Sequence, residues 1–296
     1  MSELNFPSGF NWGYRYFTCG DYFNGIAKNL GTSSNLGFYT SCTNPVIKID
    51  FDTSRLTSMY NMFSDCKEAV YIYPFDTSNV TNMSNAFVNC IKLLKAPKLN
   101  TSNVTNMYYM FQNCSSIVEV PELDTSNATN MGYMFYGCKK LTKIPNLDYS
   151  KATSVTNIFM NCELLEEGPN MNCVNVTGLG GVFSGCTYLR KIGLIECDSI
   201  TNLGSMFGGT MYYLTDVAGF RNLGKQSSLS SITNSYFLVA CPNLTKQSLL
   251  NIFNELYDRT AAGYSTVTLR LNTNSMAKLT DEEKAIATNK GWTITT

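Results

Sequence analysis

The sequence of 296 residues contains no histidine. This absence excludes Ser-His-Asp and Cys-His catalysis, histidine metal sites and the usual general base near neutral pH. No nucleophile motif takes the place of these arrangements. We therefore expect that the protein is not an enzyme and that it has no catalytic residues, no cofactor and no metal site.

Charge is also scarce, since only 15% of the residues are charged and 22 basic residues balance 22 acidic ones. Binding to a phosphate backbone needs a basic excess, so nucleic acid is not an expected partner. Asn, Thr, Ser and Tyr supply most of the polarity. A surface of this kind can bind sugars or proteins, and it can also pack against copies of itself.

The sequence has no run of about 18 apolar residues, so we expect no membrane insertion. Its first residues, MSELNFPSGFNWGYRYF, show no basic segment followed by a continuous apolar stretch. No secretory signal is therefore predicted. Three explanations stay open: the chain remains where it is made, it leaves by another route, or a signal has been removed.

A repeat of 24 residues organises most of the sequence. A phenylalanine recurs at every step, at Phe63, Phe87, Phe111, Phe135, Phe159, Phe183 and Phe207. Three residues later stand Cys66, Cys90, Cys114, Cys138, Cys162, Cys186 and, in the last place, Thr210. One step before Phe63, Tyr39 and Cys42 keep the same offset. At least eight repeats therefore share one register.

The spacing of apolar residues predicts the local structure of each repeat. Val104, Met107, Met110, Phe111 and Cys114 follow the spacing of a helical stripe. The segment 117–120 is rich in β-branched residues and ends at a proline, which predicts a short strand. The segment 124–127, Asp-Thr-Ser-Asn, predicts a turn and a helix start. Another apolar column comprises Ala69, Leu93, Ile117, Leu141, Leu165, Leu189 and Tyr213.

One repeat cannot bury its own apolar stripe, but stacked repeats can, so the sequence predicts a solenoid. The pattern resembles the BspA-like leucine-rich-repeat family. The resemblance rests on the motif D-T-S-N-V-T-N-M-x-x-M-F-x-x-C-x-x-L, which begins at Asp76 and recurs from Asn100 and Asp124, and it covers residues 40 to 215. It implies an α/β leucine-rich-repeat solenoid that serves adhesion or recognition. The tail at 279–294 also looks like the end of such proteins from gut bacteria and their phages.

Both ends of the chain depart from the repeat, which we place at 39–241. Residues 1–38 are predicted to cap the first repeat or to dock to a partner through Phe10, Trp12, Tyr14, Tyr16 and Phe17. Residues 242–296 are predicted to form an α/β C-terminal cap. Its expected elements are an amphipathic helix around 249–257, a strand at 266–271, a second helix opened by the capping box of Thr280 and Glu283, and a last strand at 292–294.

Two columns suggest chemistry and also have plain structural interpretations. The cysteines favour reduced thiols in the core, with disulfides or a metal site as alternatives. One thiol per repeat cannot converge on a single ion. The column of Asp52, Asp76, Asn100, Asp124, Asp148 and Asn172 favours helix capping together with turn bonds to backbone N–H groups, with a weak calcium ladder as the alternative.

Tyrosines outside the core columns are the predicted ligand-binding residues, namely Tyr60, Tyr108, Tyr109, Tyr133 and Tyr136. Exposed aromatic residues often mark surfaces that bind sugars or proteins. The alternative is packing against a cap or a neighbouring chain. The expected partners are a cell-surface glycan or protein, other virion proteins, or copies of the chain itself.

The favoured function is that of a non-enzymatic recognition and adhesion module, most of all a phage virion appendage that contacts the host surface. The missing secretory signal and the aromatic N-terminal segment favour this setting. The alternative is an exported bacterial cell-surface adhesin of the BspA-like type. In either setting, repeated weak contacts on a rigid slab would gain affinity through multivalency.

Overall fold

The structure is a computed structural model that describes residues 45–49, 52–227 and 238–296. The predicted N-terminal segment at 1–38 lies outside the described residues, and so do the docking residues Phe10, Trp12, Tyr14, Tyr16 and Phe17. Tyr39 and Cys42 of the first predicted repeat lie outside them as well. From Val46 onward the backbone completes one circuit for each 24-residue repeat, and successive circuits stack.

A ladder of phenylalanine rings runs through the interior. Neighbouring ring centroids lie 5.2–6.2 Å apart, and neighbouring planes are 6–19° from parallel. The rings are those of Phe63, Phe87, Phe111, Phe135, Phe159, Phe183 and Phe207, each at most 4% exposed. Stacked aromatic pairs contribute about 0.5–1.5 kcal/mol each beyond the burial of apolar area. The predicted solenoid is therefore confirmed.

The cysteine column lies in the same interior. All the cysteines of the described residues are free and buried. The Sγ atoms of Cys90 and Cys114 donate to the carbonyl oxygens of Phe63 and Phe87 in the preceding repeat, each at 3.1 Å. Burial raises the pKa of the Cys114 thiol, which keeps the thiol protonated. The column therefore consists of buried, hydrogen-bonded thiols.

The helix predicted within each repeat is wrong. The amide of Met110 donates to the Met107 carbonyl at 3.1 Å, which spans three residues and not four. The amide of Phe111 donates to the Met134 carbonyl of the next repeat, at 2.9 Å. An α-helix would need bonds over four residues within the repeat. The backbone instead forms successive β-turns, and its other bonds join neighbouring repeats.

Two left-handed positions in each repeat keep the turns from continuing as a helix. They lie two residues before and two residues after the phenylalanine, for example at Asn85 (φ 57°) and Asn89 (φ 60°). Asn and Gly adopt positive φ more readily than other residues do. The spacing of the apolar residues resembles that of a helix because successive four-residue turns also place a side chain in the core every three or four residues.

The polar motif of the repeat is explained by bonds between and within repeats. The amide of Ser78 donates to Asp76 Oδ1 at 2.9 Å. The predicted turn bond of the aspartate is therefore confirmed, and the predicted helix cap is wrong. Thr77 Oγ1 donates to the Asn100 carbonyl at 2.8 Å, toward the following repeat. Asn103 Nδ2 donates to the Ser78 carbonyl at 2.7 Å, toward the preceding repeat. These side chains therefore fasten each repeat to both of its neighbours.

The solenoid strands are short and parallel. They are β1 (Val46–Ile47), β2 (Tyr71–Ile72), β3 (Glu167–Gly168), β4 (Lys191–Glu196) and β5 (Asp216–Arg221). β1 pairs with β2, while β3, β4 and β5 form a sheet in that order. The strand predicted at 117–120 is reduced to a single bridge between Lys95 and Glu119.

The register advances by one extra residue near the end of the solenoid. In the pairing of β4 with β5, Lys191 lies opposite Asp216, a step of one more than the repeat length. Leu214 is fully buried, whereas Tyr213 is 49% exposed. The assignment of Tyr213 to the apolar column is therefore wrong. The extra residue lies between Phe207 and the buried Met211, so the side chains from Met211 to Arg221 are shifted by one place.

The C-terminal elements are α1 (Lys246–Glu255), β6 (Val267–Arg270), α2 (Thr273–Met276), α3 (Asp281–Thr288) and β7 (Trp292–Thr295). Each helix and strand predicted from the sequence of this segment has a counterpart among them. The capping box is present, since Glu283 N donates to Thr280 Oγ1 at 3.2 Å and Thr280 N donates to Glu283 Oε2 at 2.8 Å. α1 packs on β5 and covers the end of the apolar interior.

Candidate recognition surface

One side of the solenoid, here called the neutral face, is formed by the outward side chains of the turns. In each repeat these are the third and second residues before the phenylalanine and the first and second residues after it. Across the seven repeats from Tyr60 to Gly209, Asp65 is the only charged residue at these positions. Amide, hydroxyl and aromatic side chains and glycine fill nearly all the others.

Four tyrosines form a continuous group on the neutral face, here called the tyrosine cluster. It consists of Tyr108, Tyr109, Tyr133 and Tyr136, which come from two adjacent repeats. Ring centroids lie 4.1 Å apart for Tyr108 and Tyr109, 4.7 Å for Tyr109 and Tyr133, and 5.9 Å for Tyr133 and Tyr136. Tyr60 occupies the same column as Tyr108 but lies two repeats away. The structure thus brings four of the five predicted residues together.

Two members of the tyrosine cluster hold a left-handed backbone conformation. The φ angle is 59° at Tyr109 and 56° at Tyr133. Asn85 precedes them in this column at 57°, and Asn157 follows them at 54°. A left-handed conformation costs an aromatic residue about 1–2 kcal/mol, whereas Asn tolerates it better. Two adjacent repeats therefore carry bulky rings where the rest of the column favours Asn or a small residue.

Glycines beside the tyrosine cluster make room for it. A Cβ added at Gly132 would lie 3.2 Å from the ring of Tyr108, so glycine allows this ring to lie over the next repeat. Gly137 has a φ of 73°, and a Cβ there would lie 2.5 Å from Asn113 Oδ1. Asn113 in turn donates from Nδ2 to Asn89 Oδ1 at 2.9 Å. The row of hydrogen-bonded amide side chains formed by Asn89 and Asn113 therefore ends beside the rings.

The Tyr109 hydroxyl group is influenced by the neighbouring tyrosines of the cluster. Hydrogen bonding to Tyr108 raises the pKa of Tyr109 to about 12, with smaller contributions from burial and the neighbouring rings. Tyr109 is therefore neutral and able to donate a hydrogen bond at physiological pH. The arrangement can bind a ligand through ring faces, hydroxyl groups and amides.

A second surface carries the strands and the residues just before them, and it follows the neutral face along each repeat; it is here called the charged face. Ion pairs join neighbouring repeats, with Lys92 Nζ 2.5 Å from Glu68 Oε2 and Lys95 Nζ 2.6 Å from Glu119 Oε1. Such exposed pairs contribute little stability. Exposed apolar side chains lie between them, namely Ile91, Leu94, Val118, Leu164, Tyr188, Tyr212 and Tyr213. None of the exposed large apolar side chains in the described residues belongs to the neutral face.

The charged face also holds an aromatic pair that was missed in the sequence. The rings of Tyr188 and Tyr213 are stacked, with centroids 5.4 Å apart and planes 9° from parallel. The Arg190 guanidinium lies 6.0 Å from the centre of the Tyr213 ring. Tyr213 was missed because the one-residue insertion was not recognised. The doublet Gly208-Gly209 was the available signal for the insertion.

Comparison with known proteins gives partial matches. Residues 40–114 and 57–169 match a family described as "Mycoplasma protein of unknown function, DUF285", which covers less than half of the chain. No curated protein matches the sequence. Within the described residues, no helix is long and apolar enough to cross a membrane.

Two solved structures are similar to the chain. One is the T. pallidum leucine-rich repeat protein TpLRR, at 16% identity and a TM-score of 0.40, over 73% of this chain and 92% of that one. The other is a leucine-rich repeat protein from Bacteroides ovatus, at 17% identity and a TM-score of 0.35, over 79% of this chain and 76% of that one. The stacked repeats themselves establish the solenoid, and membership of the BspA-like family stays a prediction.

Proposed function

We propose that the protein is a non-enzymatic recognition module and that the tyrosine cluster is the centre of its binding surface. The observation that carries this proposal is the left-handed conformation of Tyr109 and Tyr133. Backbone strain that persists where an easier residue is available points to a functional role. Asn85 and Asn157 show that the easier residue serves the same fold in neighbouring repeats.

The setting that we propose is a phage virion appendage that contacts the host surface. What supports it is the form of the solenoid, which presents similar turns at regular intervals on a stiff slab and therefore suits many weak contacts. An exported bacterial adhesin would use the same form. Antibody detection in purified phage particles and in washed bacterial envelopes tests the setting. If the antibody detected the protein in the envelopes alone, the proposed virion setting would be contradicted.

Binding by the tyrosine cluster is tested with the double variant Tyr109→Asn and Tyr133→Asn. The probe is adhesion of the purified protein to a panel of intact bacterial cells. We expect adhesion to fall at least tenfold, while the free energy of unfolding stays equal or rises by up to about 1 kcal/mol because the strain is relieved. The control is Tyr188→Asn with Tyr212→Asn, which removes two exposed rings from the charged face.

Two results would contradict the proposal. Adhesion that is unchanged in the double variant would remove the tyrosine cluster from binding. A loss of several kcal/mol of stability in the same variant would show that the rings are retained to hold the turns together. If only the control variant lost adhesion, the binding surface would be assigned to the charged face.

A further inference from the structure

We infer that the ligand of the tyrosine cluster is an uncharged glycan. This inference rests on the proposed function and narrows it to one class of ligand. Three features of the described residues carry it: the lack of basic residues at the positions of the neutral face, the tilted arrangement of the rings, and the amide and hydroxyl groups beside the rings.

The first feature is the lack of a charged partner for an acidic ligand. No lysine or arginine occupies any position of the neutral face between Tyr60 and Gly209. The single acid, Asp65, lies two repeats before the first ring, and its Oδ1 accepts from Asn89 Nδ2 at 3.0 Å. Carboxylate, sulfate and phosphate groups are bound chiefly by Arg and Lys. The neutral face therefore suits a ligand without such groups.

The second feature is the tilt of the rings. The planes of Tyr109 and Tyr133 lie 45° apart, and those of Tyr108 and Tyr133 lie 82° apart, whereas the phenylalanine rings of the core are nearly parallel. Tilted rings do not stack face to face on one another, so part of each ring face is left for a ligand. The face of an aromatic ring carries negative charge density, so it attracts the C–H groups of a sugar ring.

The third feature is the supply of groups that donate and accept hydrogen bonds beside the rings. Gln112 and Asn113 follow Tyr109 in the same repeat, and both lie in positions of the neutral face. A side-chain amide donates and accepts at once, as does a tyrosine hydroxyl. Sugar hydroxyl groups have the same double character. An aromatic surface edged by amides therefore matches a sugar, which has apolar C–H groups and a polar edge.

A protein partner fits the other side better. The energetic centres of protein interfaces are enriched in Trp, Tyr and Arg that pack in desolvated apolar surroundings. In this chain, exposed Leu94, Val118 and Leu164 lie on the charged face, as does the stacked pair of Tyr188 and Tyr213 with Arg190. The neutral face has amides and glycine in place of these apolar surroundings.

The test uses bacterial cells that bind the wild-type protein through the tyrosine cluster. One portion of cells is treated with periodate, which cleaves the vicinal diols of sugars, and another with proteinase K. We expect periodate to lower adhesion at least tenfold and proteinase K to leave it unchanged. The opposite result would overturn the glycan and leave the proposed function intact. Equal adhesion by wild type and the double variant would instead overturn the proposed function.

A second measurement separates neutral from acidic glycans. Binding to a glycan array is recorded between about 0.05 and about 0.5 M salt, a range over which charge attraction is strongly screened. We expect the glycans that retain the wild-type protein, but not the double variant, to be uncharged and to bind equally at both ends of this range. Selective binding of sulfated or carboxylated glycans that weakens with salt would overturn the inference. The inference would also be overturned if the molar mass of the protein in solution fell in the double variant, because the tyrosine cluster would then join copies of this chain.

Discussion

Single side chains of the repeat make bonds to neighbouring repeats as well as to their own turn. Thr77 bonds toward the following repeat and Asn103 toward the preceding one, while Asp76 closes its own turn. Asn100 closes the equivalent turn, since the amide of Ser102 donates to Asn100 Oδ1 at 3.1 Å. The geometry of these turns therefore needs an oxygen acceptor and not a charge.

Because Asn and Asp close equivalent turns, we can predict how the stability of the protein changes at low pH. Bonds from Ser78 and Ser126 lower the pKa values of Asp76 and Asp124. A lowered folded pKa stabilises the protein above the unfolded pKa of about 3.9, and this stability is lost as the pH falls through the folded value. We expect the variant with Asp76→Asn and Asp124→Asn to lose less stability than wild type between about pH 5 and about pH 2.

Urea unfolding at a series of pH values measures this difference. The control is Glu122→Gln with Glu167→Gln, which changes the net charge equally without touching an aspartate that closes a turn. If the control flattens the pH dependence as much as the aspartate variant does, net charge and not the turn bonds would govern the acid response.

At the scale of elements, the sequence predicted which side chains of the turns lie in the core, but it did not predict the turns themselves. The stripe of Val104, Met107 and Phe111 correctly placed these side chains in the core, but its spacing fits four-residue turns as well as a helix. The deciding signal was the recurrence of Asn or Gly two residues to either side of the phenylalanine. A residue that adopts positive φ at intervals of four is incompatible with a continuous helix.

The same reasoning applies to the candidate site. The offsets of Tyr108, Tyr109, Tyr133 and Tyr136 from the core columns were enough to predict that they face outward. The strain at Tyr109 and Tyr133 was not predicted, because the helical interpretation gives these positions an ordinary φ. Once Asn61, Asn85 and Asn157 are recognised as a left-handed column, the two tyrosines stand out as exceptions to it.

Adjacent glycines allow a direct test of the left-handed column. Gly181 has a φ of 63°, and a Cβ there would clash with Asn157 Oδ1, whereas a Cβ at Gly180 would lie 3.5 Å from the Gly204 carbonyl oxygen. We expect Gly181→Ala to lower the free energy of unfolding by at least about 1–2 kcal/mol, because the cost of the left-handed conformation is increased by the displacement of Asn157 Oδ1. Gly180→Ala should change it by less than about 0.5 kcal/mol.

Chemical denaturation of the two variants in parallel measures this contrast. The two residues are neighbours on the same turn, with Gly180 half-buried and Gly181 buried. Equal effects would mean that the loss comes from added bulk on the neutral face and not from the backbone conformation.

At the scale of the whole molecule, stability depends on keeping one register along the stack. The repeat length could be read from the phenylalanine column, and the C-terminal elements could be read from the capping box of Thr280 and Glu283. The shift at Tyr213 was missed because a single inserted residue leaves the composition of the repeat unchanged. Its effect is visible in the pairing of β4 with β5 and in the burial of Leu214 next to the exposed Tyr213.

A solenoid in which each repeat contacts only its neighbours should tolerate the loss of one complete repeat. Deleting residues 64–87 joins Phe63 to Val88 and restores the spacing from phenylalanine to cysteine. We expect this variant to fold, to unfold cooperatively at a somewhat lower temperature and to bind cells as the wild type does, since the tyrosine cluster is untouched.

Deleting residues 108–131 removes the same length of chain and also restores the motif, because Met107 is then followed by Gly132. It takes away Tyr108 and Tyr109 but leaves Tyr133 and Tyr136, so we expect a folded protein whose adhesion falls at least tenfold. Circular dichroism, thermal unfolding and cell adhesion distinguish the two deletions. A third variant, which lacks only residues 64–86, leaves one extra residue after Phe63, so the repeat before the junction no longer stacks in register on the repeats after it. We expect it to be less stable than the deletion of a complete repeat. If it were as stable as the deletion of a complete repeat, the core would not depend on like residues stacking upon one another, and the neutral face would lose its structural basis.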